Sequence, residues 1–301
     1  MSTVDALPEE ARTRVLYLSH GAGPMPLLGD ADHVEMVDVL RKIAGSLPTP
    51  AAILLISAHW EAPLPTLTAG EHPALLYDYY DFPEESYAIE YPAPGLPALA
   101  RAVRNRLGEA GVPATLDAER GFDHGMFVPL KIMFPQANIP CVQLSLVRGL
   151  DARTHLRMGA ALAGLRCEDI AAMGGFPAAP DTSTGTPSGG GSGERGGLLI
   201  IGSGFSFHNM RAFFQPDTAE TLAMNAAFQG WLTDTCTDTS LQQPEREERL
   251  IHWEQAPHAR YCHPREEHLL PLHVCCGAAG RACPEVFSLS ILRKQASLMV
   301  W

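Results

Sequence analysis

Residues 51–60 read AAILLISAHW. From Ala51 to Ile56 the run is apolar without alternation, as expected of a strand buried on both faces. Such strands belong to parallel sheets covered by helices. The run then meets His59 and Trp60. A histidine there is either a satisfied residue at the edge of a core or a functional group at a strand's carboxyl end, where open parallel sheets bind ligands.

The same grammar recurs on either side. RVLYLSHGAG predicts a strand over about 15–18 and a glycine-bearing loop, and HVEMVDVLRKIAGSL has apolar residues at helical spacing. GLPALARAVRNRLGEAG predicts a helix closing on Gly111, VPATLD a strand, and DHGMFVPLKIMFP a short apolar helix stopped by Pro135. IPCVQLSLV, THLRMGAALAGL and GLLIIGSG continue as strand, helix and strand. This alternation predicts an α/β fold: a single domain over 1–301 with a central, largely parallel or mixed sheet flanked by helices. Residues 174–197, GGFPAAPDTSTGTPSGGGSGERGG, offer almost nothing to bury and read as a flexible insertion rather than a domain boundary. LQQPEREERLIHWEQ reads as a surface helix. A last helix is expected over 265–279, with Glu266 and Glu267 in its first turn, His268 pointing from an early turn and Pro271 bending it.

Composition narrows the function. Hydrophobic residues make up 46% of the 301, enough for a sizeable core, and charged residues 19%. With Lys+Arg 22 against Asp+Glu 34, the net charge of −12 argues against a nucleic-acid partner and against an anionic membrane surface. No apolar run reaches the ~18 residues of a membrane span, and MSTVDALPEEARTR lacks the apolar core of a signal peptide. Seven cysteines, an odd number without a disulfide framework or a CxxC pair, fit a reducing compartment, and the cytoplasm is the expected location.

Histidines occupy comparable places. His20 follows one strand, His59 a second and His208, in FSFHN, a third. All three emerge at the same end of a parallel sheet, where they would surround one cleft. His124 in GFDHG and His268 in EEH precede or open helices. Neutral imidazole binds first-row divalent metals and also transfers protons near neutrality. Each has an ordinary alternative in packing or capping, and Asp123 either orients His124 or caps its helix. His263 and His273 fit structural or supporting roles, and His33, His72, His155, His252 and His258 fit surface or packing roles. GSGFSF, with Ser203 and Ser206, is neither a nucleophile elbow, a dinucleotide fingerprint nor a phosphate loop. Leu75–Gly95 concentrates Tyr77, Tyr79, Tyr80, Phe82, Tyr87 and Tyr91, which either clamp a flat substrate or pack an irregular loop.

SHGAGPM, SAHWEA, YDYYDFPEESYAIEYPAPG, GFDHGMFVPLKIMFP, IPCVQLSL, GSGFSFHN and EEHLLPLHVCCGAA follow one another from about 15 to 280. Together they closely resemble the DOPA 4,5-extradiol dioxygenase family, within the class III extradiol ring-cleavage dioxygenases. The resemblance implies His20, His59 and His268 as metal ligands. It implies His208 as the acid/base residue, approaching the metal as a fourth nitrogen, and His124 as a second catalytic or substrate-binding histidine. It further implies one divalent metal, Fe(II) for activity or Zn(II) as bound, with O2 as cosubstrate. The implied substrate is a small catechol such as DOPA, cleaved to a muconic semialdehyde-type product. The wider class uses two histidines and one carboxylate; here His268 takes the third place, with Glu267 adjacent. The length of the 174–197 insertion and the 234–260 segment depart from the family pattern. An interaction protein on the same scaffold and a zinc-dependent hydrolase are the other readings. The sequence leaves the oligomeric state open.

Overall fold

The computed structural model describes residues 13–173 and 196–301. Its strands are β1 (Arg14–Ser19), β2 (Ala52–Ala62), β3 (Thr66–Thr68), β4 (Thr115–Asp117), β5 (Cys141–Val147), β6 (Leu198–Gly204), β7 (Glu285–Ile291) and β8 (Lys294–Val300). Its helices are α1 (Val34–Ser46), α2 (Pro97–Glu109), α3 (His124–Met133), α4 (Ala152–Leu162), α5 (Cys167–Ala172), α6 (Met210–Phe213), α7 (Ala219–Thr237), α8 (Gln243–Ile251), α9 (Ala259–Cys262) and α10 (Leu270–Ala279). The strands form one sheet in the order β4-β3-β5-β2-β6-β1-β8-β7.

The centre, β5-β2-β6-β1, is wholly parallel. Ile53 to Ile56 lie between β5 and β6 with no solvent exposure, as their unbroken apolar run requires. Antiparallel partners extend both sides, β3 on β5 and the β8–β7 hairpin on β1, so the sheet is mixed.

Alternation along β6 assigns the two layers. A Cβ at Gly202 or Gly204 would run into Pro271 or the His268 carbonyl, on the α10 side. Between them, the Ser203 hydroxyl reaches the Gly125 carbonyl in α3. Successive strand residues face opposite ways, so α10 and α3 cover opposite faces. On its outer side α10 crosses α4 at Gly159 and Gly277, where any added Cβ would overlap the backbone of the other helix.

The expected elements are present, with three differences. β2 does not stop at His59 but runs to Ala62, with an irregularity: Ser57 pairs with Ser145 and Glu61 with Leu146, leaving Ala58, His59 and Trp60 as extra residues. The last helix starts at Leu270 rather than 265, and residues 264–269 are turns, so His268 precedes the helix. Pro271 therefore initiates α10 instead of bending it; in a first turn its missing N–H costs nothing. Third, β3, α5, α6, α7, α9 and the β7–β8 hairpin extend the fold beyond the expected elements. The hairpin turns through Leu292 and Arg293, both at positive φ (50° and 63°), without the Asn-Gly pair that usually marks such a turn. Most of the 174–197 insertion lies outside the described residues.

His155 ties β5 to α4. Its Nδ1–H donates to the Asp151 carbonyl at 2.8 Å and its Nε2 accepts from the Val147 N–H at 3.1 Å. Both bonds need the neutral ring. Burial lowers its pKa to about 4. A folded-state value below the unfolded ~6.5 means that the unfolded chain binds the extra proton first, so stability is lost as pH falls from about 6.5 towards 4. This group should remove about 2 kcal/mol between pH 7 and pH 5. Urea unfolding at the two pH values should show a smaller pH-dependent loss in His155→Gln than in the parent.

Candidate metal centre

Five imidazoles meet at the carboxyl edge of the parallel strands. His20 leaves the end of β1 and hydrogen-bonds through its backbone N–H to the Gly204 carbonyl at 3.3 Å. His59 sits in the irregular part of β2, where the extra residues re-aim its side chain. His268 arrives from the α10 face; its carbonyl is held by Phe205 N–H at 3.0 Å and Tyr17 Oη–H at 3.1 Å. His124 opens α3 on the other face. His208 lies beyond β6, its N–H on the Cys262 carbonyl at 2.9 Å.

Nε2 of His59 lies 2.9 Å from Nε2 of His20 and 3.3 Å from Nε2 of His268. Their other nitrogens decide what these atoms carry. Ser203 Oγ–H donates to the Gly125 carbonyl, so it must accept from His20 Nδ1–H, at 3.0 Å. His268 Nδ1 lies 3.0 Å from Glu267 Oε1, and His59 Nδ1 lies 3.6 Å from Asp78 Oδ2. Carboxylates only accept. His20 and His268 therefore hold a proton on Nδ1 and turn bare Nε2 atoms towards Nε2 of His59. A divalent cation bound by nitrogen at about 2.0–2.1 Å suits three Nε2 atoms that converge in this way.

The surroundings favour neutral rings. Burial holds the pKa of His20 well below the ordinary histidine value, and the nearby imidazoles of His59 and His268 add to the effect. Burial does the same for His59, reinforced by His124 and opposed by Asp78, and for His268, reinforced by His208 and His59. Neutral imidazole is the ligating form.

His124 and His208 flank this trio. The ring of His124 lies 3.9 Å from that of His59, centre to centre, and its Nδ1 lies 2.8 Å from Asp78 Oδ1. His208 stacks on His268 at 3.4 Å, and its Nδ1 lies 3.1 Å from Glu267 Oε1, the same oxygen that His268 uses. Burial alone would raise the Glu267 pKa, but the His208 hydrogen bond and the Arg265 charge bring it below the ordinary glutamate range. Potential ligand atoms of His20, His59 and His124 lie within 4.8 Å of one another, as do those of His208, Glu267 and His268.

Asp123 neither orients His124 nor caps α3 with its side chain. It accepts from Ser57 Oγ–H at 2.8 Å, from Arg120 at 3.1 Å and from Gln143. Ser57 in turn accepts the His59 backbone N–H at 3.1 Å, so Asp123 braces the irregular turn of β2. Ser203, absent from any nucleophile motif, orients His20 instead. His263 and His273 are buried supports, with Nε2 of each lying 2.9 Å from a backbone carbonyl, that of Ser206 and of Leu250. The aromatic loop is largely packed: Tyr77, Tyr79 and Tyr91 direct their hydroxyls to backbone carbonyls, while Tyr80 is exposed. The residue that sequence reasoning missed there is Asp78, an acid amid tyrosines. Among the described residues, no helix is long and apolar enough to cross a membrane.

Gly204 brings the His268 turn onto the end of β6. Gly204→Ala places a methyl group against the His268 carbonyl. Overpacking of this kind costs about 1–3 kcal/mol, and the loss should appear as a lower urea midpoint with an unchanged slope.

Comparison with known proteins follows the same lines. The family description "Catalytic LigB subunit of aromatic ring-opening dioxygenase" matches residues 15–173. The chain is 36% identical over 285 residues to dioxygenase tasH of Hapsidospora irregularis, covering 88% of this chain and 78% of that protein. It is 36% identical over 268 residues to a 4,5-DOPA dioxygenase extradiol of Portulaca grandiflora, covering 88% and 85%. It is 32% identical over 275 residues to the Escherichia coli K12 protein of that name, covering 91% and 88%. A crystal structure of an uncharacterized Escherichia coli K12 protein superposes with a TM-score of 0.67 at 29% identity, covering 96% of this chain and 99% of the other.

Proposed function

The chain belongs to the extradiol aromatic ring-opening dioxygenases, the family of the catalytic LigB subunit, and from that premise we propose that it opens a small catechol, DOPA or a close analogue, to a muconic semialdehyde-type product. His20, His59 and His268 hold one divalent ion, Fe(II) in the active enzyme, with Zn(II) as an alternative occupant. The observation that carries this reading is the meeting of three Nε2 atoms at 2.9 and 3.3 Å. Relatives named for 4,5-DOPA cleavage support the substrate class.

When bound by His20, His59 and His268, the ion would supply Lewis-acid and redox chemistry for catechol and O2. The protein supplies the rest. His208 keeps its Nδ1 proton on Glu267, which leaves Nε2 bare to accept a catechol hydroxyl proton. Its place against His268 also makes it the candidate fourth nitrogen. His124 holds its Nδ1 proton on Asp78, so its bare Nε2 is available to accept a hydrogen bond from a substrate hydroxyl on the opposite side. Burial of His20, His124 and His268 strengthens these interactions.

Anaerobic loading of the metal-depleted protein with Fe(II), then admission of O2 with DOPA, caffeate or protocatechuate, should give catechol-dependent oxygen uptake and a product heavier by two oxygen atoms. No uptake with any catechol by iron-loaded protein would overturn the proposal. His20→Ala, His59→Ala and His268→Ala should each abolish stoichiometric metal. His208→Ala should lower kcat by about 10²–10⁴-fold with metal retained; loss of metal instead would make His208 a ligand.

A further inference from the structure

We propose that Asp78 is a positioning residue that joins the ligand His59 to the flanking His124, fixing both rings with Nδ1–H outward and Nε2 towards the centre. The inference rests on the metal assignment just given and extends it to the aromatic loop.

Asp78 divides its two oxygens. Oδ1 accepts both the backbone N–H of His124, at 2.9 Å, and its Nδ1–H, at 2.8 Å. Oδ2 faces His59 Nδ1 at 3.6 Å. One carboxylate thus spans two imidazoles whose rings lie 3.9 Å apart.

The loop is built to deliver it. Leu76 N–H bonds the Phe122 carbonyl and Phe122 N–H the Ala74 carbonyl, both at 2.8 Å, which aligns the chain before Asp78 with the chain before His124. The approach requires Gly121, because a Cβ there would overlap the Ala74 carbonyl. Beyond Asp78, the Tyr79 ring packs among Tyr77, Tyr87, Phe82 and Phe127 and lies 5.7 Å from His124. The tyrosines are the scaffold that holds the carboxylate still. Glu267 repeats the arrangement across the site, with one oxygen serving ligand His268 and flanking His208.

Asp78 could instead serve only as an outside cap for α3, through the His124 backbone N–H. Asp78→Asn separates the two roles. Its amide oxygen can keep both His124 bonds, while its NH2 would confront His59 Nδ1–H, donor against donor. Partners of metal-binding histidines typically contribute about ten- to a hundred-fold in affinity. Zn(II) affinity, measured by chelator competition on the full chain, should fall by about that factor in Asp78→Asn, with the metal-free protein still unfolding cooperatively and with an unchanged far-UV circular dichroism spectrum. Wild-type affinity in Asp78→Asn, with affinity lost in His59→Ala, would overturn the role of Asp78 alone. Wild-type affinity in His59→Ala would overturn the metal assignment and this inference with it. If Asp78→Asn does not fold, Asp78→Glu against Asp78→Gln carries the test. Tighter binding by the carboxylate supports the proposal, and equal binding refutes it.

Discussion

Three imidazoles converge through their Nε2 atoms in one buried space. His155, packed for stability, spends both ring nitrogens on the backbone of Asp151 and Val147. His20 and His268 instead spend their Nδ1 donors outward, on Ser203 and Glu267, and turn Nε2 towards His59. Burial keeps the cluster neutral, because it penalises the charged ring. The rest of the architecture maintains that arrangement.

The sheet does so by geometry. Parallel strands place their carboxyl ends together, which brings residues from β1 and β2 to one edge although 39 positions separate His20 and His59. The two helical layers then contribute from opposite faces, α3 with His124 and the turn before α10 with His268. Close approach is obtained by omitting side chains: Gly202 and Gly204 admit α10, and Gly125 admits α3 against Ser57. A Cβ at these points would meet backbone or side-chain atoms at under 3 Å and push the element carrying it outward.

Polar support is equally economical. Asp123 is fully buried, and its pKa is raised by burial and by Asp78. It is surrounded by the donors of Ser57, Gln143 and Arg120, whose guanidinium also lies over Trp60 at 4.4 Å. This network secures the extra residues of β2. Burying such a group costs several kcal/mol unless its bonds are made, so its presence fits a requirement to hold His59 at one orientation.

The sequence by itself determined the central strands, because unbroken apolar runs such as AAILLI are best satisfied between other strands under helices. It also determined the chemical type, since histidines following several such strands must gather at one edge, and its motifs resembled the family to which the chain belongs. The C-terminal hairpin escaped because its turn uses Leu292 and Arg293 where no local signal exists. His268 was expected on a helix because Pro264 and two glutamates resemble a helix start. Instead a turn carries it, with its carbonyl packed against Gly204. Tertiary structure alone decided which nitrogen of each histidine faces inward, and that Asp78, Ser203 and Glu267 are the partners responsible. Those choices depend on hydrogen bonds between residues up to 183 positions apart, for which periodicity and local propensity carry no information.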